Sequence, residues 1–456
     1  MSIGLNSSLL IAVQALSAEQ GALDSTTNNI ANVNTLGYSR EVPLLQEAPA
    51  TQQGNYAVGN GVVLQGYQSI RDSVLELRIQ QETQNNSNTQ AQSNALQQVQ
   101  PYFTASGADV ASQMSAFFVN LTKLESDPTN SSLRQGILSA GQGLVTAFHG
   151  TAAGISQQQA ALNTQVAGDV AQINQLTPQI AQLSVQVANL KALGQDGGTV
   201  EDQLNTALGN LSKLVDVNVT QTEGGITVTT GNGTALVAGG KSFALQTGVG
   251  SNQQTAVLDS TGKDITSTLK EGDLGGAIQV RDQVLPGFMN QLDTLAFQFA
   301  NAFNSAHEAG YDLNGQAGQA FFNIGSSAPG SAASLSVAIS DPALVAASSD
   351  GSPGSNGNVA NLIAVRDAKL PSGSSPVDMY SGLVFNVGAA ASDAQAENSA
   401  SSMSLQQLTN QRSALSGVSI DEETTNMIRY QQAYQAAAKV VSTIDQLNTD
   451  TLNMIK

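Results

Sequence analysis

The sequence predicts a mainly α protein with a β insertion. Terminal coiled-coil helices, an elongated helical bundle and a small antiparallel β domain are nested, so that the domains are discontinuous. Three observations carry this. Both ends of the chain show an apolar stripe at a seven-residue repeat. A long central stretch keeps the same repeat, and between about residues 214 and 270 the period falls to two.

At the start, Leu9, Leu16, Leu23 and Ile30 fall at every seventh position, with Val13 between the first two. The stripe is narrow, a coiled-coil seam rather than a core face. Its other seam positions, Gln20 and Thr27, are polar, so the helix has little to hold it alone. It ends in Asn28-Asn29-Ile30-Ala31-Asn32-Val33-Asn34-Thr35-Leu36-Gly37-Tyr38, where asparagine favours caps and turns and Gly37 can stop a helix.

Gly-Asn punctuation at Gly54-Asn55 and Gly59-Asn60-Gly61 frames short extended segments carrying Val62, Val63, Leu64 and Tyr67. A helix resumes near Asp72 with Val74, Leu75, Leu77 and Ile79, and Pro101 ends it. A second helix carries Val110, Met114, Phe117, Phe118, Leu121 and Leu124 up to Asp127-Pro128, and a third carries Leu133, Ile137, Leu138, Leu144 and Phe148. From Ile155 to Leu190, Leu162, Val166, Ile173, Leu176, Ile180, Leu183, Val187 and Leu190 keep the four-three step, broken only by Asp169. Pro178 lies off this seam and predicts a kink in one bent helix.

Near Leu214 the pattern changes. Val215, Val217 and Val219 alternate with polar residues, as do Ile226 and Val228, with turns at Glu223-Gly224-Gly225 and Gly231-Asn232-Gly233. A small sandwich or barrel of hairpins is expected to about Lys270. Helix returns at Gly275 with Leu285, Phe288, Leu292, Leu295, Phe299 and Phe303, and Pro286 near its start. Asn314-Gly315 marks a turn. A short-stranded block and a Gly/Ser/Pro/Asn loop at 351–358 precede helices that run, with breaks near Pro371 and Pro376, to the tail.

In the tail, Met427, Tyr434, Val441, Asn448 and Ile455 are spaced by seven, and Tyr430, Ala437, Ile444 and Thr451 interleave. Ser419 and Glu422 form an S-x-x-E capping box, and Asp421 to Glu423 place negative charge at the helix's positive end. Both ends are thus seams in need of a partner. The expected subunit-packing residues are Leu9, Val13, Leu16, Leu23 and Ile30 at one end, and Met427, Tyr430, Tyr434, Val441, Ile444 and Ile455 at the other. The expected domains are a terminal one (1–60 and 415–456, disordered in the monomer), a helical bundle (61–205, 275–305 and 356–414) and a β-rich outer domain (206–274 and 306–355).

The formal net charge of -18 argues against nucleic acid as a partner, because phosphates demand basic patches. There is no cysteine, hence no disulfide framework or thiolate metal site. The first basic residue is Arg40, which does not suit a secretory signal peptide, and no apolar stretch approaches bilayer-spanning length. A soluble, uncleaved protein with no membrane partner is the expectation.

Candidates for chemistry are thin. His149 and His307 lie on different helical segments and read as packing or surface residues. Gly240-Lys241-Ser242 matches the tail of a P-loop but has Ala235 where glycine is required. Asp312-x-Asn314-Gly315 has the wrong spacing for a calcium loop. No catalytic residue, metal site or cofactor is expected, and the chain does not read as an enzyme.

NNIANVNTLGYSR (Asn28 to Arg40) resembles the N-terminal signature of bacterial flagellar axial proteins, with Asn28, Asn29, Asn32, Asn34, Gly37 and Tyr38 as its marked positions. SGVSIDEETTNMIRYQQAYQAAAKVVSTIDQL (Ser416 to Leu447) is similar to the C-terminal signature of the hook-associated branch. DPTNSSLRQGILSAGQGLVTAF (Asp127 to Phe148) and the stretch from Arg281 to Gly315 also resemble that branch. The resemblance implies a structural subunit of the layer joining hook to filament, exported through the flagellar channel without a cleaved signal and located outside the cell. Its implied partners are further copies in a ring or tube, the hook subunit, the next hook-associated junction protein, and an export chaperone at the C-terminal helix. The seams supply a mechanism of their own, in which the ends become ordered as copies stack. Two alternatives stand beside this: a hook or rod axial subunit, and a secreted adhesin or enzyme with flagellar-type ends. A deep polar pocket in the middle domain would favour the last.

Overall fold

Long heptad runs with few helix breakers give a structure led by helices, with only short antiparallel strands between them. The computed structural model describes residues 2–35, 37–53, 56–104, 107–195, 197–222 and 224–455. They fall into two units, one of Met1–Gln84, Gln172–Leu245 and Ser402–Lys456, the other of Asn85–Ala171 and Gln246–Ser401.

The first unit holds both chain ends. The N-terminal helix (Ser2–Ala31) and the C-terminal helix (Ile420–Ile455) pack on each other. The strands Glu41–Glu47 and Val62–Ser69 form an antiparallel ribbon, Glu41 opposite Ser69, with a register shift between Leu44 and Leu45. This ribbon lies on the N-terminal helix. Gly21 permits the approach, since a Cβ there would collide with Leu64 Cδ2.

The same unit contains a four-stranded meander of Asn218–Thr222, Gly225–Thr229, Ala235–Ala238 and Lys241–Ser242. Ile226, Val228 and Val237 are buried, and Ser184 of the long helix Ser131–Ala192 accepts a hydrogen bond from Ile226 N at 2.7 Å. The expected sandwich or barrel is therefore corrected to one open sheet. Its strands are too short and too few to close on themselves, so a helix covers them instead. The next hairpin, Gln246–Val249 with Thr255–Leu258, belongs to the second unit. Residues 206–214, placed with the β-rich segment from sequence, end the helix Gly198–Leu214.

What reads from sequence as a helix through Phe148 and a heptad from Ile155 is a single helix, Ser131–Ala192, with Pro178 inside it. The intervening Gly154 is no break. It provides room for the Tyr102 ring, which packs against its backbone. The helix expected from Gly275 begins at Gly272, passes through a π-turn at Val280–Val284 and continues as Leu285–Glu308.

The second unit is built around phenylalanines. Phe117 and Phe118 of the helix Val110–Ser126 meet Phe299 and Phe303 of the helix Leu285–Glu308, and Phe321 and Phe322 close the cluster. Ring centroids are 5.0 Å apart for Phe117 and Phe303, and 4.8 Å for Phe321 and Phe322. Such a cluster gains both burial and edge-to-face attraction. Fully buried Arg134 is satisfied by backbone carbonyls, Pro128 O at 2.6 Å and Val345 O at 2.7 Å.

A contrasting contact in this unit is polar. Residues 86–97 of the helix Ser73–Val99 meet residues 395–401 of the helix Pro376–Ser416 through side-chain hydrogen bonds. Asn86 Nδ2 donates to Ser401 Oγ, Ser93 Oγ to Gln395 Oε1 and Asn398 Nδ2 to Gln90 Oε1, each at 3.0 Å.

His307 completes the aromatic core. Its Nδ1 donates to Gln319 O at 2.6 Å, and its Nε2 accepts from Ala346 N at 2.9 Å, which fixes the neutral tautomer. Burial pushes its pKa down to about 4. The unfolded chain therefore takes up a proton first as pH falls. His307's contribution is complete above about 6.5 and lost as the pH drops toward 4, by about 3 kcal/mol at most. In urea titrations between pH 7.5 and 4.5, the wild type should lose stability relative to His307→Gln as the pH falls.

Candidate functional site

The surface available to a structural subunit is the pair of terminal helices. The N-terminal helix turns small and polar side chains inward: Ala12, Ala18, Ala22, Ser25, Thr26 and Asn29 are buried. The expected stripe lies elsewhere on the same helix, with Leu9, Leu16, Leu23 and Ile30 half-exposed and Val13 exposed. On the C-terminal helix Met427, Tyr430 and Val441 are half-exposed, Tyr434 is exposed and Ile444 is buried. The Ile455 side chain lies outside the described residues. A second series, Val440, Leu447 and Met454, is exposed one position before the expected seam. The same seven-residue period, taken in the neighbouring phase, would have found it.

Where the two helices meet the ribbon, the asparagine-rich segment becomes a clamp. Asn29 Nδ2 donates to Glu41 O at 2.8 Å and to Glu423 Oε2 at 3.1 Å. Its Oδ1 accepts from Glu41 N at 2.9 Å and from the Tyr38 hydroxyl at 2.8 Å. Asn28 Nδ2 reaches the same hydroxyl at 3.3 Å, and Asn32 Nδ2 turns back to Asn28 O at 3.0 Å. Gly37 holds a positive φ of 86°, and its carbonyl accepts from Arg412 at 3.1 Å. Asn34 is exposed, and Leu36 lies outside the described residues.

Charges lock this clamp. Arg40 Nε pairs with buried Glu423 at 2.7 Å, and Nη1 with Glu422 at 3.0 Å. Ser39 donates from N and Oγ to Asp202, both at 3.0 Å, and Arg71 pairs with Asp202 and Glu201. Burial first, then Glu41, Asp202 and Glu423, push the Tyr38 hydroxyl well above its ordinary range, so it stays protonated and keeps donating. The capping box is corrected here. Ser419 Oγ stands 3.5 Å from Glu422 N, but the Glu422 carboxylate goes to Arg40 instead of closing the reciprocal bond.

A polar pocket of about 300 Å³ in the second unit is lined by Asp264, Lys270, Arg281 and Asp282. Its buried arginine is already engaged. Arg281 pairs with Asp282 through two 2.8 Å bonds and donates to Asn163 Oδ1 at 3.0 Å and Thr255 O at 2.8 Å. Arg281 and Asp282 are therefore tied to each other and to the pocket wall. Among the described residues no group of three or more acidic or histidine side chains could hold a metal, and no helix is long and apolar enough to cross a membrane.

A family model for the helical domain of the flagellar hook-associated protein FlgK matches residues 96–322. The flagellar hook-associated protein 1 of Escherichia coli strain K12 is 27% identical over 97% of this chain and 98% of its own. This chain belongs to the flagellar hook-associated FlgK family. A second relative, flagellar hook-associated protein 1 of Bacillus subtilis strain 168, is also 27% identical, over 97% of both chains. The flagellar hook junction protein FlgK from Burkholderia pseudomallei shares the fold, with a TM-score of 0.68 at 17% identity over 74% of this chain and 100% of that one. Models of flagellar basal body rod proteins match residues 9–38 and 410–454, the two terminal helices. The tail is thus held in common with rod proteins, and it is the helical domain that separates the FlgK family from them. The family is structural and flagellar, not enzymatic.

Removing the clamp's centre should loosen both chain ends. Asn29→Ala removes the acceptor of Glu41 N and of the Tyr38 hydroxyl, and one of the two side-chain donors to Glu41 O, at a cost of roughly 2–4 kcal/mol. Hydrogen exchange should show faster amides in residues 25–45 and 420–430, whereas Asn34→Ala should leave them unchanged.

Proposed function

We propose that this subunit builds the layer joining hook to filament through the outward stripes of its paired terminal helices. The observation that carries this is the exposure of Leu10 and Val13 on one helix and Val440, Leu447 and Met454 on the other, while the buried side of the N-terminal helix is made of small and polar side chains. Each large apolar side chain buried against a neighbouring copy gains roughly 1.5–3 kcal/mol. The small side chains buried on the N-terminal helix gain far less within one chain. Order at both ends therefore grows with assembly, and in the free subunit the terminal helices fray outward from the clamp.

The partners on this reading are other copies in a ring or tube, the hook subunit on one side and the next hook-associated junction protein on the other. Before assembly an export chaperone covers the apolar side of the C-terminal helix, and the chain leaves the cell without a cleaved signal. Support for the junction comes from two relatives, each a flagellar hook-associated protein 1, that match nearly the full length of this chain.

Leu16→Asp and Val441→Asp should each give a soluble, folded subunit that fails to join hook to filament, with flagellin shed into the medium. Normal swimming by either strain would count against the stripes. Deleting residues before Tyr38 and after Ser419 should remove little circular-dichroism helix signal from the free subunit, and a loss matching two full helices would refute fraying.

A further inference from the structure

One acid interrupts the apolar seam of the long helix in the second unit. Asp169 is 4% exposed, and its Oδ2 has no hydrogen-bond partner. One turn earlier, Gln165 Nε2 donates to Asp273 Oδ2 at 2.9 Å, bringing in the first turn of the helix Gly272–Gln279. That second helix is in turn packed against a third. On its other side Gly276 lies directly against the Asn88 backbone, where a Cβ would collide, and Asn88 Nδ2 donates to Lys270 O at 2.7 Å.

The charges around Asp169 are few. Asp273 is the group that acts on it from the second helix. Lys270, just before that helix, is exposed, and Glu271 follows it. The third helix brings Asn88 and Gln92, which carry no charge. Burial first, and Asp273 second, push the Asp169 carboxyl up to about 7, and burial also raises Asp273.

We propose that Asp169 and Asp273 form a proton-loaded latch between the long helix and the helix Gly272–Gln279, tight while the pair holds a proton and strained once both are ionised. The folded chain binds the extra proton between about 3.8, the ordinary aspartate value, and about 7. Stability therefore rises as pH falls through about 7 and is lost as pH climbs through it. This trend is opposite in sign to that of His307. The difference between a variant and the wild type isolates it, because His307 is common to both.

The test is urea unfolding of the full chain at pH 5 and pH 8, in EDTA, for wild type, Asp169→Asn and Asp273→Asn. Asparagine keeps the shape of the protonated acid. Between pH 5 and pH 8, Asp169→Asn should gain on the wild type at least about tenfold in the folded-to-unfolded ratio, with a ceiling of about a hundredfold. Asp273→Asn should move the wild-type pH dependence to lower pH, and this holds the proposal open to refutation even if Asp169→Asn folds poorly. Parallel pH dependences in all three proteins would overturn it. So would stabilisation by added calcium chloride that Asp169→Asn abolishes, because the pair would then be a cation site.

Discussion

The side-chain amide of Asn29 is the contact on which the arrangement of both chain ends depends. It reads the backbone N–H and C=O of Glu41 as a neighbouring strand would, which turns the exit from the N-terminal helix directly into the ribbon. The same amide reaches Glu423 at the start of the C-terminal helix. A carboxylate buried there bears a desolvation cost of several kcal/mol, offset only by good geometry. Arg40 and Asn29 provide that geometry, one on each oxygen. An aspartate at position 29 would set a second negative charge against Glu423, so an isosteric change fails as surely as a truncation.

With its ends held at one point, the molecule divides its apolar residues between two tasks. Phe117, Phe118, Phe299, Phe303, Phe321 and Phe322 of the second unit are used up internally, ring against ring, with His307 and Arg134 tying the surrounding loops through their carbonyls and amides. The leucines and valines of the terminal helices are not used up. The inward face of the N-terminal helix is made of alanine, serine, threonine and asparagine, which lets it lie close to its neighbours while keeping its larger side chains for another surface. The chain thus folds on one set of residues and offers another.

Much of this was legible in the sequence. Seven-residue periodicity located the terminal helices and the heptad of the long helix, and the phenylalanine spacings marked the helices that form the core. Period alone could not say which side of a helix is turned inward. The stripe through Leu9 is half-exposed, and the buried side runs through Ala18, Ala22 and Asn29. Alternation near Val228 announced strands but not their number per sheet, because sheet membership is decided by distant coverage, here Ser184. The asparagines read correctly as a helix exit, since Asn32 does turn back on Asn28. The link from Asn29 to Glu423 joins opposite ends of the chain and leaves no periodic trace. Asp169 was visible only as a flaw in a heptad, and its meaning depends on Asp273, far along the sequence.

The polar contact between residues 86–97 and 395–401 bears on the chain before it folds. Amides and hydroxyls that leave Ser401, Gln395 or Gln90 find water in exchange, so separating these strips carries little net penalty. Stretched out as a thread, each of these strips is mostly amides and hydroxyls, with little apolar surface to snag a neighbouring thread. It can be crowded alongside its siblings without clumping, and zips together only when its own counterpart arrives.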